Sequence, residues 1–458
     1  MATNQLAVNG GGGGGGSSKD SGTGMSRHIR SGKKLVLGRK KNRQGDKQRP
    51  VAAGERKAFR KKIQLSNDNA LEVEGLPLLD AGDNNNNPEQ NNVNIVDPEA
   101  VGRVVGLSPD LVDQLRTVEA FKPTQNWGLF RSPHMLVRRE TVDLVTRLNE
   151  AVAKKETARV VLTGDRGSGK SLLALQALSA GFMNKWVVIN IPEAQELTTA
   201  HTEYAPIPNA PEMFSQPVYT VKLMQAIFKA NFSVLSQHKV EGDHMYLPIS
   251  VTRNMSLAAL LNATKEPEFA WPVFRAFWEE LTSRPGRPPV LFALDGLHHI
   301  MRVSDYRAPS FERIHSHDLA LVRLFTDALG GATKFANGAA VLGVTSRGNS
   351  PVLPSVEKAL EQAVARQDGA PDQDAPQRDP FYRGYDDRVF AALRGVGVLD
   401  VKGVSKAEAR ALLEYWAASG IFRQRVDEYS VSEKWTLAGG GVLAEMERVA
   451  LYDNRVSM

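Results

Sequence analysis

The feature that most restricts this chain is an eight-residue pattern at 164–171, Gly-Asp-Arg-Gly-Ser-Gly-Lys-Ser. It follows a short β-branched run at 159–163 and precedes a helical stretch at 171–182. A buried strand, a tight glycine turn and a helix, in that order, aim several backbone N–H groups and a helix N-terminus at one point. Glycines let the backbone turn closely enough to cradle a phosphate. Lys170 reaches the β- and γ-phosphates as a point charge, and the Ser171 hydroxyl is a magnesium ligand. The nucleotide-binding candidates are Gly164, Asp165, Arg166, Gly167, Ser168, Gly169, Lys170, Ser171 and Leu172.

Two further strand ends complete the constellation. The run at 290–294 ends in Asp295, where a carboxylate holds magnesium, often through water. Many hydrolysing ATPases follow that acid with a glutamate that polarises water. Here Gly296 follows, which argues against fast turnover; His298, His299 and Asp327 are the substitutes within reach of sequence reasoning. The strand at 339–344 ends in Thr345-Ser346-Arg347, a candidate γ-phosphate sensor whose bland alternative is a polar strand cap. No Asn-Lys-x-Asp motif reads a guanine base: Asn184-Lys185 continues into Trp186-Val187. These motifs leave the base open.

Buried strands alternate with helices at 140–154, 171–182, 218–237, 256–264, 271–283 and 318–330, which predicts an α/β doubly wound sheet. Ordered structure is expected from Pro109, with an irregular lead-in at 109–140 and the P-loop core at 141–350. Lys170 and Asp295 lie 125 residues apart, so 192–288 reads as an insertion that carries partner contacts. The Pro-, Asp- and Gln-rich stretch 351–385 reads as a loop. Residues 386–458 read as a small, mostly helical domain, with Ser405 and Glu408 as a capping box.

Charge is unevenly spread. Residues 25–62 hold 15 Lys/Arg against 2 Asp/Glu, a local +13, while the whole chain carries +6. Such an arm suits a polyanion, because each neutralised phosphate releases counterions. Its RNA-contact candidates are Arg39, Lys40, Lys41, Arg43, Arg60, Lys61 and Lys62. The glycine run at 10–16 and the asparagine run at 84–87 cannot build a core, so 1–108 is expected to be largely disordered or RNA-bound. The chain has no cysteine, which excludes disulfides and thiolate chemistry, and its nine histidines show no zinc spacing. No run of 18 apolar residues predicts a membrane span. The opening residues resemble neither a secretory signal nor an Arg-rich presequence, and leave targeting open.

Four segments in order carry a family resemblance: FKPTQNWGLFRSPHMLVRRE, GDRGSGKS, VLFALDGLHHI and GVSKAEARALLEYWAASGIF. Over 111–451 the chain resembles a fungal member of the death-associated protein 3 family, nucleotide-binding proteins of the mitochondrial ribosomal small subunit. The resemblance implies an AAA-like P-loop core and a place in the head of the small subunit. It also implies contacts with mitochondrial ribosomal RNA and neighbouring proteins, and bound GTP or GDP with magnesium (ATP being the alternative). The phosphate roles fall on Gly164, Gly167, Gly169, Lys170 and Ser171, and the magnesium role on Ser171 and Asp295. No metal other than magnesium is expected. The implied location is the mitochondrial matrix. The glycine-rich and asparagine-rich amino-terminal parts have no counterpart in the family pattern, so the basic arm's RNA contact is read from its charge. The competing reading is an AAA-like ATPase or signalling switch with real turnover; a helicase is disfavoured by the lack of further helicase motifs.

Overall fold

The computed structural model describes residues 63–80, 92–208, 210–252, 254–348, 350–369 and 375–452. All fall within one unit, Lys61–Met458. Six of the seven RNA-contact candidates (Arg39, Lys40, Lys41, Arg43, Arg60, Lys61) and the seventh, Lys62, lie outside the described residues.

Five strands form the central sheet: β1 (Thr157–Thr163), β2 (Val187–Ile191), β3 (Val290–Asp295), β4 (Ala339–Val344) and β5 (Gly397–Asp400). All neighbours are parallel, in the order β5-β1-β4-β3-β2. Every position of β2, β3 and β4 is buried, as expected of strands covered on both faces. Side chains alternate between two cores. Val161, Ile189, Phe292 and Val341 enter one; Val160, Val188, Leu291 and Leu342 enter the other. The register sets Val344 beside both Leu162 and Asp295. The carboxyl ends of β1, β3 and β4 are thus level, and the segments that follow them meet at one edge.

Helices cover both faces. The second core is closed by α1 (Pro109–Thr117), α2 (Arg139–Ala153) and α3 (Lys170–Met183). The first is closed by α4 (Pro217–Ala230), α5 (Pro267–Ser283), α6 (Ala320–Gly330) and α7 (Pro354–Gln367). A third apolar cluster joins α8 (Lys406–Ala418), α9 (Glu428–Leu437) and α10 (Leu443–Glu447) to Phe130 and Leu136 of the lead-in segment. The Ser405–Glu408 capping box forms as expected.

Four boundaries differ from the sequence reading. The described structure already includes Ile63, well before Pro109. Leu65, Leu79, Val93, Ile95 and Val105 are buried, and Leu78–Asp80, Asn92–Asn94, Val104–Gly106 and His134–Leu136 make a small four-stranded sheet. Strands of three residues are too short to show a period. Residues 192–288 are not simply inserted: α4 and α5 bury Met224, Ile227, Phe274 and Phe277 against the sheet. The stretch 351–385 is not all loop. Val356, Ala359, Leu360 and Ala363 are spaced for one helical face, and α7 buries them. The region from 386 onward is not a separate helical domain, because β5 is the sheet's edge strand beside β1.

One buried ionic network fixes the helical layer. Glu280 of α5 is 1% exposed and accepts from Gly242 N (2.5 Å), Arg287 Nη2 (2.6 Å) and His244 Nε2 (3.0 Å). Burial pushes its carboxyl up, but the Gly242 N–H, His244 and Arg287 outweigh that and hold it below the usual range. The ionised form therefore contributes stability above the ordinary carboxylate range, and this is lost as pH falls through the lowered folded value. Glu280→Gln leaves the buried Arg287 guanidinium to the more exposed carboxylate of Glu241 at 3.4 Å. It is expected to cost about 3–5 kcal/mol in denaturant unfolding at neutral pH and to flatten the acid limb of the stability profile.

Candidate nucleotide site

The loop at 164–169 joins β1 to α3. Gly164 and Gly167 have φ of +132° and +80°, in the region that favours glycine. Their lack of a side chain has a second use. A Cβ on Gly164 would lie 2.3 Å from the Val401 carbonyl oxygen, and one on Gly167 would lie 2.8 Å from the Ala444 Cβ. The carboxyl-terminal segment is packed directly onto the loop.

Lys170 opens α3 and is 7% exposed. Its ammonium donates to the carbonyls of Gly164 (2.9 Å) and Asp165 (2.5 Å). Burial and the Arg347 guanidinium lower its pKa, against the pull of Asp295, Asp165 and Asp400. Ser171 Oγ donates to Asp295 Oδ2 at 2.7 Å. The two magnesium candidates, 124 residues apart, are therefore in contact. A hydroxyl and a carboxylate are hard oxygen donors that suit magnesium, which keeps several waters and takes phosphate oxygens as its other ligands. Among the described residues no group of three or more His, Asp or Glu is placed to hold a metal, and no helix is long and apolar enough to cross a membrane.

The other candidates are sorted by their surroundings. Thr345 is 3% exposed and its hydroxyl donates to the Leu162 carbonyl at 2.9 Å, tying β4 to β1. Arg347 is half-exposed beside Glu357 at 3.5 Å, and its field reaches Lys170. Ser346 follows Thr345 outside the strand. Gly296 adopts φ +90° and donates to the Val344 carbonyl at 3.0 Å, so this position serves the turn. His298 and His299 are buried, and desolvation lowers the His298 pKa, which keeps the ring neutral. His298 Nε2 lies 3.5 Å from Glu357. Asp327 is not brought to the site. It lies on the last turns of α6, whose following Gly331 abuts Arg159 in the first half of β1, far from the strand ends.

Sequence reasoning missed three groups. Arg138, at 6% exposure, donates through Nη1 to Ser168 O (3.2 Å) and through Nη2 to Glu140 Oε1 (2.9 Å), Lys402 O (2.9 Å) and Gly403 O (3.2 Å). Ala444 N donates to Gly167 O at 3.0 Å. Lys122 forms an ion pair with Asp295 Oδ2. The only sequence signal was basic residues inside an apolar lead-in segment, which gives no partner.

Two cavities flank the loop. One, of about 430 Å³, lies at the ends of β1, β4 and β5 and is lined by Thr163, Thr345, Arg347, His298 and Glu357. The other is an aromatic slot between Trp127, Phe130, Leu172, Trp416 and Leu443, with Asn126 and Glu447 among its lining residues. Asn126 Nδ2 donates to Glu447 Oε2 at 2.5 Å, and burial pushes the Glu447 carboxyl up to about 7 despite that bond. Arg138→Ala is expected to free the loop by removing its donor to Ser168. Amide exchange at 164–169 should accelerate at least about tenfold, and unfolding should cost about 3 kcal/mol less, while exchange in β3 is unchanged below the global limit.

Comparison with known proteins agrees with the resemblance in the sequence. The model of the mitochondrial ribosomal death-associated protein 3 family matches residues 135–449. The small ribosomal subunit protein mS29 of Neurospora crassa is 55% identical over 405 residues, covering 88% of this chain and 83% of that protein. The protein of the same name from Schizosaccharomyces pombe is 22% identical over 346 residues, covering 74% and 69%. Among solved structures, the Aeropyrum pernix ORC1 protein in complex with DNA aligns with 69% of this chain and 59% of its own, at 14% identity and a TM-score of 0.32. Since the family model spans more than half of the chain, and a relative above half identity spans most of both sequences, the chain belongs to the mitochondrial ribosomal death-associated protein 3 family.

Proposed function

We propose that this chain is a structural component of the mitochondrial ribosomal small subunit that holds a guanine nucleotide with magnesium and hydrolyses it slowly or not at all. The observation that carries the nucleotide is the meeting of Lys170, Ser171 and Asp295 at the level ends of β1 and β3. An AAA-like core is supported by β4, which intervenes between the loop-bearing strand and the acid-bearing strand. The relatives named mS29 support the ribosomal setting and a mitochondrial matrix location. Ribosomal RNA and neighbouring ribosomal proteins are then the partners, and the basic arm at 25–62 supplies charge for the RNA.

The two cavities have different chemistry. Phosphates belong on the loop, and the open charged cavity beside Arg347 adjoins the far end of a triphosphate. The aromatic slot beside Leu172 is an apolar wall next to the loop, but it holds only about 70 Å³ and must open to seat a base. Guanine over adenine rests on the family resemblance, because Glu447 Oε2 already accepts from Asn126 and burial works against its ionised form. A nucleotide so placed would brace α3, the lead-in segment and the carboxyl-terminal helices against one another.

The reading with real turnover rests on one observation: His298 and Glu357 adjoin each other at the cavity by Arg347. Against it stand the neutral, buried ring and the glycine at 296. The decisive experiment extracts the nucleotide that co-sediments with the small subunit and separates it by chromatography. Guanine nucleotide is expected from the unaltered protein and none from Lys170→Ala, with a loss of about 2.7 kcal/mol of stability if the ligand is present at about a hundred times its Kd. Single-turnover hydrolysis of a few per minute, lost in Lys170→Ala, would overturn the structural reading.

A further inference from the structure

Lys122 is placed where a free surface lysine would not be. It follows Phe121, which is 3% exposed and meets Trp127 edge-on at 5.2 Å. Its backbone N–H is held by Gln125 Oε1 at 2.8 Å, and the same oxygen accepts from Trp127 Nε1 at 2.7 Å. The ammonium meets Oδ2 of Asp295, the very oxygen that accepts from Ser171 Oγ. Lys122 and Asp295 side chains are 22% and 11% exposed, so the pair is largely shielded from water. Lys170, another cation of the site, is turned toward the loop carbonyls.

We infer that Lys122 is a built-in cation of the site, which lets the loop hold a nucleoside diphosphate or triphosphate without a divalent ion. The inference rests on the proposed nucleotide reading of the same loop. An ammonium carries three donors and a unit positive charge. At Asp295 it neutralises the carboxylate and offers the remaining donors to phosphate oxygens beside Ser171. A divalent ion approaching the Ser171–Asp295 pair must displace or repel it. Lys122 and magnesium therefore compete for one carboxylate, and each lowers the site's need for the other.

The test is GDP affinity of the full-length, nucleotide-stripped protein, measured calorimetrically with saturating magnesium and with EDTA. The unaltered protein should change by less than about threefold between the two conditions, and Lys122→Met should become at least about tenfold weaker in EDTA than in magnesium. Lys122→Arg keeps the charge and should behave as the unaltered protein does. Melting temperatures of the stripped variants show whether each is folded. Equal magnesium dependence in the unaltered protein and Lys122→Met overturns the inference and leaves the nucleotide reading standing. Absence of GDP binding by the unaltered protein in both conditions overturns that reading, and the inference with it.

Discussion

The buried guanidinium of Arg138 is the contact on which the site's assembly depends. One side chain donates to the phosphate loop at Ser168, to the first turn of α2 at Glu140, and to the chain leaving β5 at Lys402 and Gly403. These segments are distant in sequence, and none supplies a donor to the others' carbonyls at that point. A planar fork with five donors on three nitrogens spans more widely separated acceptors than the single nitrogen of a lysine. The Ala444–Gly167 and Val401–Thr163 backbone bonds complete the closure. The loop is thus a junction between the sheet, the lead-in segment and the carboxyl-terminal helices.

That arrangement also explains the electrostatics. Lys170, Lys122 and Arg347 gather around Asp295 and Asp165 at the strand ends. Backbone carbonyls of the loop hold Lys170 in place, and Asp295 holds Lys122. No glutamate is aligned at 296, and the nearest imidazole is neutral through burial. On the proposed reading these groups hold phosphate and do little to activate water.

The central strands, α3 and the capping box at Ser405 were legible because each has a local signal: a β-branched run, a glycine turn, or a reciprocal cap. The phosphate loop and Asp295 were legible as residue types. The helix α7 was hidden because its exposed face is rich in charged and amide side chains, although Val356, Ala359, Leu360 and Ala363 keep helical spacing. The small sheet that begins at Leu78 was hidden because three-residue strands carry no readable period. Thr345 was open between a phosphate sensor and a polar strand cap; its hydroxyl is bonded to β1, a bond that exists only once the strands pair.

By itself the sequence determined a glycine turn between a strand and a helix, an acid at the end of a second strand, a basic arm and a family. These follow from local chemistry, since a glycine turn or a buried run acts on its own neighbours. Tertiary structure alone decided that Ser171 touches Asp295, that Arg138 holds the loop, that Lys122 neutralises the acid, and that Asp327 lies elsewhere. Those contacts join residues tens to hundreds of positions apart. Nothing local selects such partners; sheet register and helix packing bring them within reach, and no spacing in the chain encodes the distance.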